Sequence, residues 1–233
     1  MDSIRERILK LADKKMKKFN SGIIPNSLPI LGIKNDEIRL IAKDICKNDV
    51  LSFLDNYEFI YYEEQLLYAF VLGTAKLPYD VKFKYLDKFI PTITDWAVHD
   101  GLVSSLKCVK KNKEEYLKFI LKYVNSKKEF EVRFVAIMLM DYYLDDDHIN
   151  LVYNVIFKLY LEDYYAKMGV AWLIATMAIN YKDYVLKVFE KDDFDRWTIN
   201  KSISKIRESY RIDKDFKELV LKYKKTLNKG VLL

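Results

Sequence analysis

Apolar residues recur at intervals of three and four along almost the whole chain, and that spacing is the period of an α-helix. Ile4, Ile8, Leu11 and Met16 open one amphipathic helix. Ile38, Ile41, Ala42 and Ile45 mark another, with Asn35 as its N-cap. The same periodicity predicts helices at roughly 61–76, 79–90, 93–111, 113–124, 129–144, 147–160, 163–180, 182–190, 197–210 and 214–228. Asp, Asn and Ser stand at many of the junctions, where helix caps belong. The stretch Asn20–Pro29 carries Gly22, Pro25 and Pro29 and is expected to lie outside any helix. Val81–Leu86 alternates, but its lysines and its place between helices favour a helix there too.

Composition closes off the other classes. Six glycines and four prolines in 233 residues are too few turn formers for a sandwich or barrel of short strands. With 51% hydrophobic and 32% charged residues the chain is not intrinsically disordered. Helices of this length on short links predict an all-α solenoid of paired helices with one concave binding face. Trp96, Arg133 and Trp172 lie 37 and 39 residues apart, the period of HEAT-type repeats. No linker is visible, so residues 1–233 are expected to form a single domain.

The chemistry that is absent narrows the function. Cys46, Cys108, His99 and His148 lack metal-binding spacing, so no metal is expected, and two cysteines cannot build a disulfide framework. There is no dinucleotide or P-loop glycine motif and no HExxH, so no cofactor is expected. The charged opening (Asp2, Arg5, Glu6, Arg7) does not read as a signal peptide. The longest apolar run, Met168–Ile179, is shorter than the roughly twenty residues needed to cross a bilayer. A cytoplasmic protein without a membrane partner, in all expectation a monomer, follows. A net charge of +6 is compatible with a nucleic-acid partner.

One constellation stands out. Trp96 and Asp100 are four residues apart, on one face of one helix. Arg133 sits among Val132, Phe134, Val135 and Ile137, where its charge must be exposed or paired. It belongs either to the concave face or to a structural pair with Glu131 or Asp100. Trp172 sits in the most apolar stretch, and large aromatics at helical spacing usually fill cores. Trp197, at the start of a later helix, reads as packing. His99 follows a different face from Asp100 and reads as structural or solvent-facing. Arg196–Lys229 holds eleven Lys or Arg against four Asp or Glu. Lys201, Lys205, Arg207 and Arg211 are either phosphate contacts or a solvated helix face, and Lys107, Lys110, Lys111 and Lys113 form a second basic cluster. Asp145-Asp146-Asp147 reads as the cap of the next helix, not a metal site.

At this point the chain resembles a known family, the HEAT-like DNA alkylation repair proteins of the AlkD glycosylase type. The resemblance rests on Leu31-Gly-Ile, Ile38-Arg-Leu-Ile-Ala-Lys-Asp, the Trp96/Asp100 pair, Arg133, Trp172 and the stretch Asn200–Ile212. It implies double-stranded DNA as partner, possibly alkylated, and excision of cationic bases such as 3-methyladenine and 7-methylguanine. Asp100 would be the catalytic carboxylate, stabilising an oxocarbenium-like sugar and positioning water. Trp96 and Trp172 would pack on the lesion nucleotide, and Arg133 would hold a phosphate. The physics is consistent: N-alkylation makes the base a good leaving group, a preorganised carboxylate stabilises cationic charge, and indoles attract cations. The chain departs from the pattern at Ser21–Ile30, where the best-known members have a short helix bearing a DNA-contacting aromatic. It departs again at Ala175, a place often basic in the glycosylases. It is therefore closest in pattern to the branch lacking that helix, and a non-catalytic DNA-binding or scaffold member is the alternative.

Overall fold

A computed structural model describes residues 3–24 and 28–225 of the chain. Every regular element among them is helical. The chain divides into two compact units, residues 1–119 and 120–233. The first holds α1 (Ile4–Leu9), α2 (Lys14–Ile23), α3 (Asn35–Ile45), α4 (Val50–Asn56), α5 (Tyr62–Thr74), α6 (Tyr79–Phe89) and α7 (Trp96–Ser105), with a 3₁₀ turn at Lys107–Lys111. Helix α8 (Lys113–Leu121) runs across the division. The second holds α9 (Glu129–Tyr142), α10 (Ile149–Ile156), α11 (Tyr164–Met177), α12 (Lys182–Lys191), α13 (Arg196–Glu208) and α14 (Lys214–Leu219).

In the first unit α5 packs between α3 and α7. It is buried from Tyr62 to Gly73, which is why its sequence is apolar on all sides and shows no single stripe. Gly73 and Gly101 permit the close approach of α5 and α7, because a Cβ on Gly73 would lie 2.5 Å from the Ser105 side chain. Arg39 of α3 spans the same layer: its guanidinium stacks 3.7 Å over the Phe70 ring and donates to Ser105 Oγ at 3.0 Å. In the second unit α11 packs between α9 and α13 in the same manner.

Two buried glutamates at the start of α5 organise the N-terminal segments. The Glu63 carboxylate accepts the backbone N–H groups of Leu31 (2.9 Å), Gly32 (2.7 Å) and Ile33 (3.3 Å). Glu64 accepts Arg5 Nε at 2.6 Å and the N–H groups of Ile60 and Tyr61, which ties α1 to α5. Burial pushes the Glu64 carboxyl up, but Arg5 and the two N–H groups outweigh it, so the group ionises more readily than an ordinary glutamate. Gly32 has φ +86°, and a Cβ there would lie 2.1 Å from Lys17 N and 2.4 Å from Asp13 O, both in the backbone of α2's first turn.

The predicted helices from 61 onward recur with shifted ends among the described residues, outside which 226–228 of the last one lie, and Asp13, Asp49, Asp95, Asp195 and Asp213 cap the helices that follow them. Four local readings are corrected. Ile4 to Met16 is two helices, not one, with the chain turning at Lys10–Asp13. Asn20–Ile23 is helical, because Pro25 restricts the residue before it (Ile24, which is extended) and not the turn upstream, where a glycine is tolerated. Lys34, not Asn35, is the cap of α3, and Glu37 accepts its N–H. The α10 cap is His148, whose N–H and imidazole both bond Asp145 Oδ1, while Asp146 accepts from the Tyr181 hydroxyl.

Gly32→Ala is expected to lower stability by at least about 2 kcal/mol, through both the strained φ and the backbone clash. Gly22→Ala, where a Cβ meets nothing within 4 Å, is expected to be neutral or to raise it by about 0.5–1 kcal/mol. Urea denaturation midpoints of the two variants check this pair.

Candidate nucleic-acid interface

Helix α7 begins at Trp96 because Asp95, fully buried, accepts the N–H groups of Ala97 (2.8 Å) and Val98 (2.9 Å). Asp100 follows one turn later on the same face, its side chain 21% exposed. His99 is fully buried, and its Nδ1 lies 2.8 Å from Asp100 Oδ1. The expectation that His99 and Asp100 diverge is therefore corrected. Nδ1 is the ring nitrogen nearest the backbone, so it reaches sideways to the neighbouring carboxylate although the two Cβ atoms point apart. When the carboxylate is ionised it can only accept, and Nδ1 is then the donor of this contact.

Trp96 is half-buried, and its indole N–H donates to Ile23 O at 3.1 Å. That carbonyl is one of the last in α2, where partners within the helix run out. The indole thus caps α2. Helix α2 carries Lys14, Lys15, Lys17 and Lys18, has no buried residue, and exposes 63% of Phe19. The sequence signal for this element is the run of lysines ending in an aromatic at Lys14–Phe19.

The second unit holds the other predicted residues. Trp172 is 39% exposed on α11, so the core reading of this tryptophan does not hold. Arg133, by contrast, is buried on α9 and donates from Nη1 to Tyr165 O at 3.1 Å; Glu131, its imagined partner, bonds Ser126 and Lys128 instead. Gly169 allows α11 to pass close beside Arg133, since a Cβ there would sit 3.4 Å from Arg133 Cγ. Lys205 Nζ lies 5.4 Å from the centre of the Trp172 ring. Burial, with repulsion from Lys201 and Arg133, holds the Lys205 ammonium below the ordinary lysine value, against the pull of Glu208. Trp172, Ala175, Lys205 and Arg211 line one open depression of about 300 Å³.

Arg207 is exposed on α13 and does not line that depression. Lys107, Lys110 and Lys111 share the 3₁₀ turn after α7, with Lys107 exposed. Trp197 is 36% exposed and meets Tyr164 edge-on at 5.5 Å, so it is a partly open packing residue. Among the described residues no group of His, Cys, Asp or Glu is placed to hold a metal, and no helix is long and apolar enough to cross a membrane.

Each unit therefore offers exposed or half-exposed aromatic faces beside lysines, the pairing that a polyanion carrying stackable bases requires. The comparison with protein families agrees: a family model described as DNA alkylation repair enzyme matches residues 4–206, and the chain belongs to that family. Its role is in DNA alkylation repair. A search of curated proteins finds no match.

Trp96→Phe removes the indole donor and keeps the ring. Amide hydrogen exchange in Lys14–Ile23 is expected to speed up by about fivefold, the equivalent of about 1 kcal/mol for one hydrogen bond, with α5 unchanged. Unaltered exchange in α2 would show that the indole does not hold it.

Proposed function

We propose that this protein is a DNA glycosylase of the AlkD type, hydrolysing the N-glycosidic bond of cationic alkylpurines in double-stranded DNA. The observation that carries the reading is the α7 arrangement: a partly exposed Asp100 carboxylate, fixed by His99, one turn from a half-exposed indole. In this reading the two units together form one HEAT-like solenoid domain, with a concave face that meets the duplex.

The chemistry needs little acid catalysis. The C1′–N bond breaks with its electron pair passing to the positively charged base, which leaves neutral. Positive charge develops on the deoxyribose, where Asp100 stabilises it. Water adds to C1′ and gives up a proton. His99, with Nδ1 2.8 Å from Oδ1, holds the carboxylate in one orientation. Trp96 and Trp172 pack against the lesion nucleotide, and their faces attract the cation. Arg133, Lys201 and Lys205 supply the positive field for a phosphate near the lesion; Lys107 and Arg207 take backbone contacts further out.

Two departures from the family pattern are offset by neighbours. Ala175 carries no charge, but Lys205 brings an ammonium over the adjacent Trp172 ring. The proline-containing stretch is preceded by α2, and its exposed Phe19 supplies the aromatic that the resemblance leads one to seek. This favours the glycosylase over the non-catalytic alternative.

The test is release of 7-methylguanine and 3-methyladenine from methylated duplex DNA. The wild type is expected to release both, and Asp100→Asn to lower the rate by about 10²–10³-fold while DNA affinity is kept. Salt-dependent DNA binding by a folded wild type that releases neither base would establish the non-catalytic reading instead.

A further inference from the structure

The chain's two cysteines, Cys46 and Cys108, belong to one buried cluster that the proposed DNA chemistry does not use. At its centre is Lys82 of α6, 1% exposed. Its Nζ donates to Ala75 O at 2.7 Å and Gly73 O at 3.1 Å, carbonyls at the C-terminal end of α5, and lies 3.6 Å from Cys108 Sγ. The same sulfur lies 3.1 Å from Tyr116 Oη. Cys46, at the end of α3, sits differently: its Sγ donates to Val71 O at 3.7 Å. Both cysteines are partly exposed.

Charge decides what this cluster does. Burial holds the Lys82 ammonium below the ordinary lysine value; Cys108, through its contact and its charge, and more weakly Cys46 pull the other way. The negative end of the α5 dipole and two carbonyl acceptors favour the ammonium. Of the atoms that Lys82 bonds, only the Cys108 sulfur can become an anion, and a buried cation is stable when paired with one. Tyr116 supplies a second donor to a sulfur anion. Cys46 has a carbonyl partner, which favours the thiol, and burial pushes that thiol up. The titratable groups that surround Cys108 are Lys82 from α6 and Tyr116 from α8, with Lys107, Lys110 and Lys111 on its own turn.

We propose that Cys108 is a reactive thiolate paired with the Lys82 ammonium, and that it is a modification site for peroxides. The thiolate attacks one peroxide oxygen with its electron pair, an S–O bond forms and the O–O bond breaks. The leaving hydroxide takes a proton from solvent and departs as water. Sulfur is oxidised to the sulfenic acid and the peroxide is reduced. The added oxygen enters between Lys82 and Tyr116, the two side chains that grip the lysine-bearing turn, so oxidation loosens that turn.

Cys46 serves as the internal reference, in the same chain and in the same sample. The intact native protein is treated with iodoacetamide, and modification of each cysteine is followed by peptide mass spectrometry across pH 5–9. Cys108 is expected to react at least about tenfold faster than Cys46 at pH 7. With hydrogen peroxide and a cyclic 1,3-diketone trap, the adduct is expected at Cys108. In Lys82→Met the difference between the two cysteines is expected to collapse. Equal rates in the wild type would overturn the proposal without any variant. None of these readouts depends on DNA or on glycosylase activity.

Discussion

A single buried carboxylate holds the N-terminal part of the first unit in place. Glu63 accepts three consecutive backbone N–H groups, from Leu31 to Ile33. Such a nest satisfies donors that a tight bend would otherwise leave without partners, and it neutralises part of the charge that burial makes costly. The bend it stabilises places Gly32 against the backbone of α2, where no side chain fits. Helix α2 contributes no buried residue of its own. It is fixed at its first turn by this backbone contact, with Asp13 N donating to Gly32 O, and at its last by the Trp96 indole. The position of a basic, solvent-facing helix therefore depends on a glutamate in a different helix.

The two units solve the same packing problem in the same way. In each, three alternate helices lie side by side, and the middle one is buried on nearly all sides. Exposed site residues then lie near the ends of helices or on their one open edge. Trp96 is the first residue of α7, Phe19 lies in the last half of α2, and Trp172 lies on the edge of α11 that Lys205 overhangs. Gly73, Gly101 and Gly169 stand at helix–helix contacts, which explains why most of the few glycines of this chain sit inside helices instead of in turns.

The helical class and most element positions were legible because the apolar period is local information. The Trp96–Asp100 pairing was legible for the same reason, since four residues along a helix is a fixed geometry. The Lys10–Asp13 turn was not, because Leu11, in the turn itself, and Met16, in α2, continue the apolar pattern of α1 across it. The burial of Arg133 was not, because it depends on Tyr165, a backbone carbonyl of another helix. His99 was misjudged because Cβ directions say little about how far a ring nitrogen can reach. The reach of α2 to Ile23 was missed because Pro25 and Gly22 were weighed together, although only the proline limits the backbone. The pairing of Lys82 with Cys108 lies 26 residues apart in sequence and leaves no local pattern at all.

The crowding of Arg133, Lys201 and Lys205 has a thermodynamic consequence for the protein before it meets any ligand. Burial first, and then their mutual repulsion, depress Lys205, and both count against the folded state. Unfolding disperses these charges and relieves the strain. An anion that settles among them binds only the folded arrangement, so it converts a local liability into stability by mass action, growing with anion concentration. Any anion held on the surface around Trp172 would by this linkage raise the heat resistance of the second unit.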